Sequence, residues 1–118
     1  MKPITELRKK AKSGDHGFPR ATLAYYGPND RNATKAVLGI FLHDGDQPNI
    51  FRYFSDDKDA RFKISIQESI LARLKEHGVN SLIFVEKIFG CPHEEGIDYP
   101  DGESCPKCPY WKDRDRFA

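Results

Sequence analysis

Between residues 21 and 54 the apolar positions come in short blocks cut by turn residues, a pattern that predicts strands rather than helices. Residues 21–26 (Ala-Thr-Leu-Ala-Tyr-Tyr) read as a first strand, and Gly27-Pro28-Asn29-Asp30-Arg31-Asn32 as a turn. Residues 35–42 read as a central strand, 43–48 as a second turn and 50–54 as a third strand, which makes a meander. The period then changes. Ile66, Ile70, Leu71 and Leu74 recur at helical spacing, Ser65 to Glu68 has the form of a capping box, and Gly78 is a natural stop, so the spacing predicts a helix over 66–77. Residues 81–88 are almost continuously apolar, as expected of a strand covered on both faces, and run through Phe89-Gly90 into Cys91.

The implied fold class is α+β: a mixed sheet built from a three-strand meander, one crossover helix and a further strand parallel to one of the first three, followed by a C-terminal zinc-binding loop. The order is similar to the first half of the ribonuclease-H-like architecture and, around residues 74–79, to small cofactor-carrier domains of nitrogenase assembly. The nuclease chemistry would need a carboxylate on the first strand to hold magnesium, and residues 21–26 have none. Ser13-Gly14-Asp15 and Gly17-Phe18-Pro19 interrupt any longer element, so residues 1–20 read as a basic N-terminal arm with at most a helical turn over 4–12. Residues 21–118 form the single domain, with 90–118 as its metal-binding segment.

A chain of 118 residues supports one modest core, and 31% charged against 38% hydrophobic residues leaves room for an additional fastening. No stretch is apolar enough to cross a bilayer, and Met1-Lys2-Pro3 opens no signal-like core, so a cytoplasmic protein with no membrane partner is expected. The net charge of +1 conceals a gradient: about +4 over residues 1–20, zero over 21–90 and −3 over 91–118. The basic end could meet phosphates. The acidic end suits nucleic acid poorly.

All three cysteines and one of four histidines fall within eighteen residues: Cys91-Pro92-His93, then Cys105-Pro106-Lys107-Cys108. Zinc is satisfied by four thiolate or imidazole ligands at tetrahedral corners, and C-x-x-C in a tight turn supplies two of them at the right separation. Cys91, His93, Cys105 and Cys108 are therefore the expected ligands of one Zn²⁺. A redox C-x-x-C would open a helix after a strand; here prolines flank the motif and Tyr110-Trp111 follow. The zinc-deaminase pattern, H-x-E followed by P-C-x-x-C, is approached by His93-Glu94-Glu95. The gap to Cys105 is too short for an intervening strand, Ser104 stands where proline belongs, and Cys91 offers a fourth ligand. Hydrolytic chemistry would have only Glu94 or Glu95 as its base. His16, His43 and His77 lack any surrounding constellation and read as structural.

The run from Gly90 to Pro100 with Cys105-Pro106-Lys107-Cys108-Pro109-Tyr110-Trp111 resembles the tail of a family of small bacterial proteins of uncharacterised activity. Phe18-Pro19-Arg20-Ala21-Thr22 and Tyr25-Tyr26-Gly27-Pro28 extend the resemblance over most of the chain. It implies a bacterial cytoplasmic protein and brings no activity. The expectation is a zinc-finger-like, non-catalytic module that binds a protein partner. Two alternatives differ in class: nucleic-acid binding through the basic arm and the Trp111–Arg116 tail, and a zinc-dependent hydrolase or deaminase. For Tyr110 and Trp111, packing over the zinc turn is favoured over stacking on bases.

Overall fold

The computed structural model describes residues 2–12, 17–94, 96–103 and 105–111. Its elements are α1 (Pro3–Lys12), β1 (Arg20–Tyr26), β2 (Lys35–Phe41), β3 (Asn49–Phe54), α2 (Ile64–Glu76) and β4 (Ser81–Ile88), ending in a 3-10 turn at Pro109–Trp111. The four strands form one sheet in the order β3-β2-β1-β4. β1 is antiparallel to β2, β2 to β3, and β4 runs parallel to β1, as the crossover through α2 requires. The expected α+β class and mixed sheet are what the chain forms.

Register decides which face is core. Ala21 faces Ile40 and Leu82, and Leu23 faces Leu38 and Phe84, and the helices cover this side with Leu7, Ile66, Ile70, Leu71 and Leu74. The opposite face carries no helix among the described residues. Thr22 pairs there with Gly39 and Ile83, and Ile50, Phe54 and Ile83 are exposed. β4 is thus an edge strand with one open face, not the doubly covered strand its apolar run suggests; the best-buried strand is β2.

Two further expectations are corrected. The N-terminal segment is not an arm over its described part: Pro3 occupies the first helical position, α1 packs on α2 and β4, and Leu7 is fully buried. Arg8 donates to Glu86 at 2.7 Å, and Lys10 to the Val79 carbonyl at 3.3 Å. His16 lies outside the described residues. The capping box does not form either, because α2 begins at Ile64 with Lys63 as its cap residue and Ser65 is already helical. Gln67 reaches back instead to the Arg61 carbonyl at 2.8 Å. The stop is as expected: Gly78 adopts φ +67°, and the bonds Gly78 N–H to Lys75 O and Val79 N–H to Leu74 O complete a Schellman motif. No described helix is long and apolar enough to cross a membrane.

Candidate metal centre

β4 delivers the first ligands by continuing past its own end. The Phe89 amide donates to Tyr25 O and the Gly27 amide to Gly90 O, both at 2.8 Å, so the chain crosses the end of β1 and sets Cys91 beside it. Residues 94–99 then close a tight loop: the Glu94 amide donates to Asp98 Oδ2 at 2.7 Å, the Asp98 amide returns to Glu94 O at 2.8 Å, and Gly96 takes φ +81°. A turn through Gly102, at φ +84°, redirects the chain to Cys105, and the Cys108 amide bonds Cys105 O at 3.4 Å. The tail is fixed at Trp111, which packs on the core and donates Nε1–H to Gly27 O at 2.7 Å. The packing that the structure shows for Trp111 is thus against the core rather than over the cysteines, and Tyr110 meets it edge-on with ring centroids 4.9 Å apart. Residues 112–116 of the tail lie outside the described residues.

Cys91, His93, Cys105 and Cys108 converge, with their ligand atoms all within 4.8 Å of one another. His93 Nδ1 stands 3.3, 3.4 and 3.5 Å from the sulfurs of Cys91, Cys105 and Cys108. A ring nitrogen has one proton or one lone pair and cannot serve three sulfurs by hydrogen bonding. Three such distances suit the N···S edges of a tetrahedral metal site. Zinc about 2.3 Å from sulfur and about 2.0–2.1 Å from nitrogen requires an N···S edge of about 3.6 Å. Cys91 and Cys108 are buried and Cys105 is half-buried, so the chain could hold a metal ion with little solvent around it.

The thiols are arranged at an electrostatic cost that a cation relieves. Burial pushes Cys108 up to about 12 and raises Cys91, and on Cys108 the neighbouring thiols add to the effect. Burial acts upward on Cys105 too, but the Lys107 amide and the adjacent thiols outweigh it and bring Cys105 below its ordinary value. The His93 amide also donates to Cys91 Sγ at 3.3 Å. Metal binding here would displace protons.

Glu94, a candidate base from sequence, is occupied otherwise. It accepts from Arg52 Nη2 at 2.8 Å and Nε at 3.1 Å, and from Lys35 Nζ at 3.3 Å. The Arg52 hydrogen bond holds its carboxyl below the usual range, the reverse of what a general base at neutral pH needs. Glu95 lies outside the described residues. Lys35, whose side chain is 4% exposed, also donates to the Pro92 carbonyl at 2.9 Å and lies against the Phe54 ring. This Lys35–Glu94–Arg52 clasp, which straps the metal loop to β2 and β3, has no sequence signal. Its partners are 42 and 59 residues apart.

No protein-family model matches the chain, and it has no significant match among curated proteins or solved structures.

Proposed function

We propose that the protein is a small, non-catalytic module of the bacterial cytoplasm that binds a protein partner, and that Cys91, His93, Cys105 and Cys108 hold one structural zinc ion. The observation that carries the metal reading is the convergence of three sulfurs on His93 Nδ1 at 3.3 to 3.5 Å. Four protein ligands fill a tetrahedron and leave no position for water, which supports a structural rather than a hydrolytic role. The prolines after Cys91, Cys105 and Cys108 suit rigid metal-binding turns.

Native mass spectrometry of protein purified without chelator should show one zinc per chain, and His93→Ala with Cys105→Ser should abolish it. Chelation should raise amide exchange over residues 90–111 while β1 to β3 and α2 stay largely protected, because their ladder and core contacts do not pass through the ion. Because two thiols are held above their ordinary values, apparent zinc affinity should rise with pH through the neutral range. Absence of metal, or exchange that rises uniformly along the chain, would contradict the reading.

A further inference from the structure

The sheet has two edges, and they differ in how they meet solvent. β4 is shielded: α1 packs along it, its ladder to β1 is irregular after Leu23, and Glu86 and Lys87 lie along it. Such features keep an edge from pairing with another chain. β3 shows none of them. Its pairing with β2 is regular, it contains no proline, and its one charge, Arg52, is neutralised within the chain by Glu94. Its open-face side chains Ile50 and Phe54 are 42% and 67% exposed.

The C-terminal end of β3 runs into a cleft of about 550 Å³ between Phe54 and the metal loop. Asp56, Glu94 and Asp98 line it. Lys35 and Arg52 share the one carboxylate of Glu94, so that with Asp56 and Asp98 these five side chains give the cleft and its rim a net charge of about −1. Three thiolates around one divalent ion would add about one further negative charge nearby.

We propose that the β3 edge and this acidic cleft form one docking surface for an extended, basic peptide segment of a partner protein, which rests on the partner-binding reading above. The peptide backbone continues the ladder beyond β3, alternate apolar side chains lie on Ile50 and Phe54, and a lysine or arginine on the same face enters the cleft beside Asp56. Charge selects the occupant. A phosphate backbone would meet carboxylates, and β3 of a second copy would leave both acidic clefts without a countercharge.

The test uses the zinc-loaded full chain and a fluorescein-labelled octapeptide with lysine at positions 1 and 7, valine at 3 and 5 and threonine between them, which sets valines and lysines on one face, read by anisotropy at low and moderate salt, with metal content measured on the same samples. Binding is expected for this peptide and not for its counterpart with glutamate in place of lysine. Affinity should fall at least tenfold for Asp56→Lys and at least fivefold for a peptide N-methylated on alternate residues, which cannot extend the ladder. Asp56 is exposed, so the variant should keep its zinc and its urea midpoint. Peptide should also slow exchange of the amides of residues 49–54. Equal affinity for the N-methylated peptide, an unaffected Asp56→Lys, tighter binding of oligothymidine, or protection of residues 49–54 that grows with protein concentration alone would overturn the proposal. Zinc-loaded protein that ignores the lysine peptide overturns the docking surface alone, whereas wild-type protein without zinc overturns the metal reading.

Discussion

Replacing Glu94 by glutamine isolates what the clasp contributes. The Lys35 side chain is 4% exposed, whereas that of Glu94 is 36% exposed. Removing one partner of a buried ion pair destabilises by about 3–5 kcal/mol, because the remaining charge keeps its desolvation penalty without its counter-ion. Partial exposure of Glu94 screens the interaction, and the Pro92 carbonyl still holds the ammonium. About 1.5–3 kcal/mol is therefore expected. With a urea slope of about 1.3 kcal/mol/M, the midpoint should fall by about 1–2 M at a fixed free zinc concentration. Lys35→Met should be mild, since it removes the buried charge and leaves Glu94 with Arg52. The double variant should resemble Lys35→Met rather than the sum of the two singles.

The same carboxylate fixes a pH signature. Its folded-state value lies below its ordinary 4.5, because Arg52 and Lys35 hydrogen-bond the charged form. The folded protein therefore takes up that proton less readily than the unfolded chain. Its contribution is complete above about pH 4.5 and is lost as pH falls through the lowered value. With zinc kept saturating at each pH, the stability gap between wild type and Glu94→Gln should be constant from neutral pH down to that point and narrow below it. A Glu94→Gln midpoint within about 0.3 M of wild type, or a double variant as unstable as the summed singles, would refute the reasoning.

Two other substitutions probe the supports of the metal loop. A methyl group at Gly27 would sit 2.0 Å from the Asn32 carbonyl oxygen, with every near neighbour backbone, so Gly27→Ala should cost about 2–4 kcal/mol and red-shift the emission of Trp111 by breaking its bond to Gly27 O; unchanged fluorescence would be inconsistent with this packing. Arg61 bonds both oxygens of Asp59 and the Glu86 carbonyl at 2.7 to 2.9 Å, so Arg61→Met should cost about 2–4 kcal/mol in urea melts. Arg61→Lys should recover less than half of that, since an ammonium cannot span the same acceptors, and full recovery would show that charge alone matters.

What the sequence made legible was whatever depends on local chemistry. The strands begin and end within about one residue of expectation because Pro28, Asn29, Gly45 and Pro48 punctuate them. The approach of Cys91 to His93 and of Cys105 to Cys108 follows from spacing, since C-x-H and C-x-x-C constrain a few bonds of chain. Burial of β4 was misread because an apolar run does not say which neighbour the strand takes; pairing with β1 alone leaves Ile83 57% exposed. α1 was missed because Leu7 is one apolar anchor among charged residues, and its burial depends on α2 and β4 arriving from more than fifty residues away. The clasp was invisible for the same reason: nothing near Lys35 announces Glu94.

The clasp also shows what a metal would do at this end of the sheet. Helices cover one face only, so the Tyr26–Lys35–Phe54 row on the other face needs a different lid, and the metal loop provides it by laying Pro92 and Glu94 over Lys35. A loop with Gly90, Gly96 and Gly102 has much conformational freedom to lose and few apolar side chains to offset the loss. Hydrogen bonds through Gly27 align its two ends but do not close it. Four ligands drawn from both ends to one ion do. The ion would therefore act beyond its own loop, because without the loop in place Lys35 would lose its carboxylate and its carbonyl partner together.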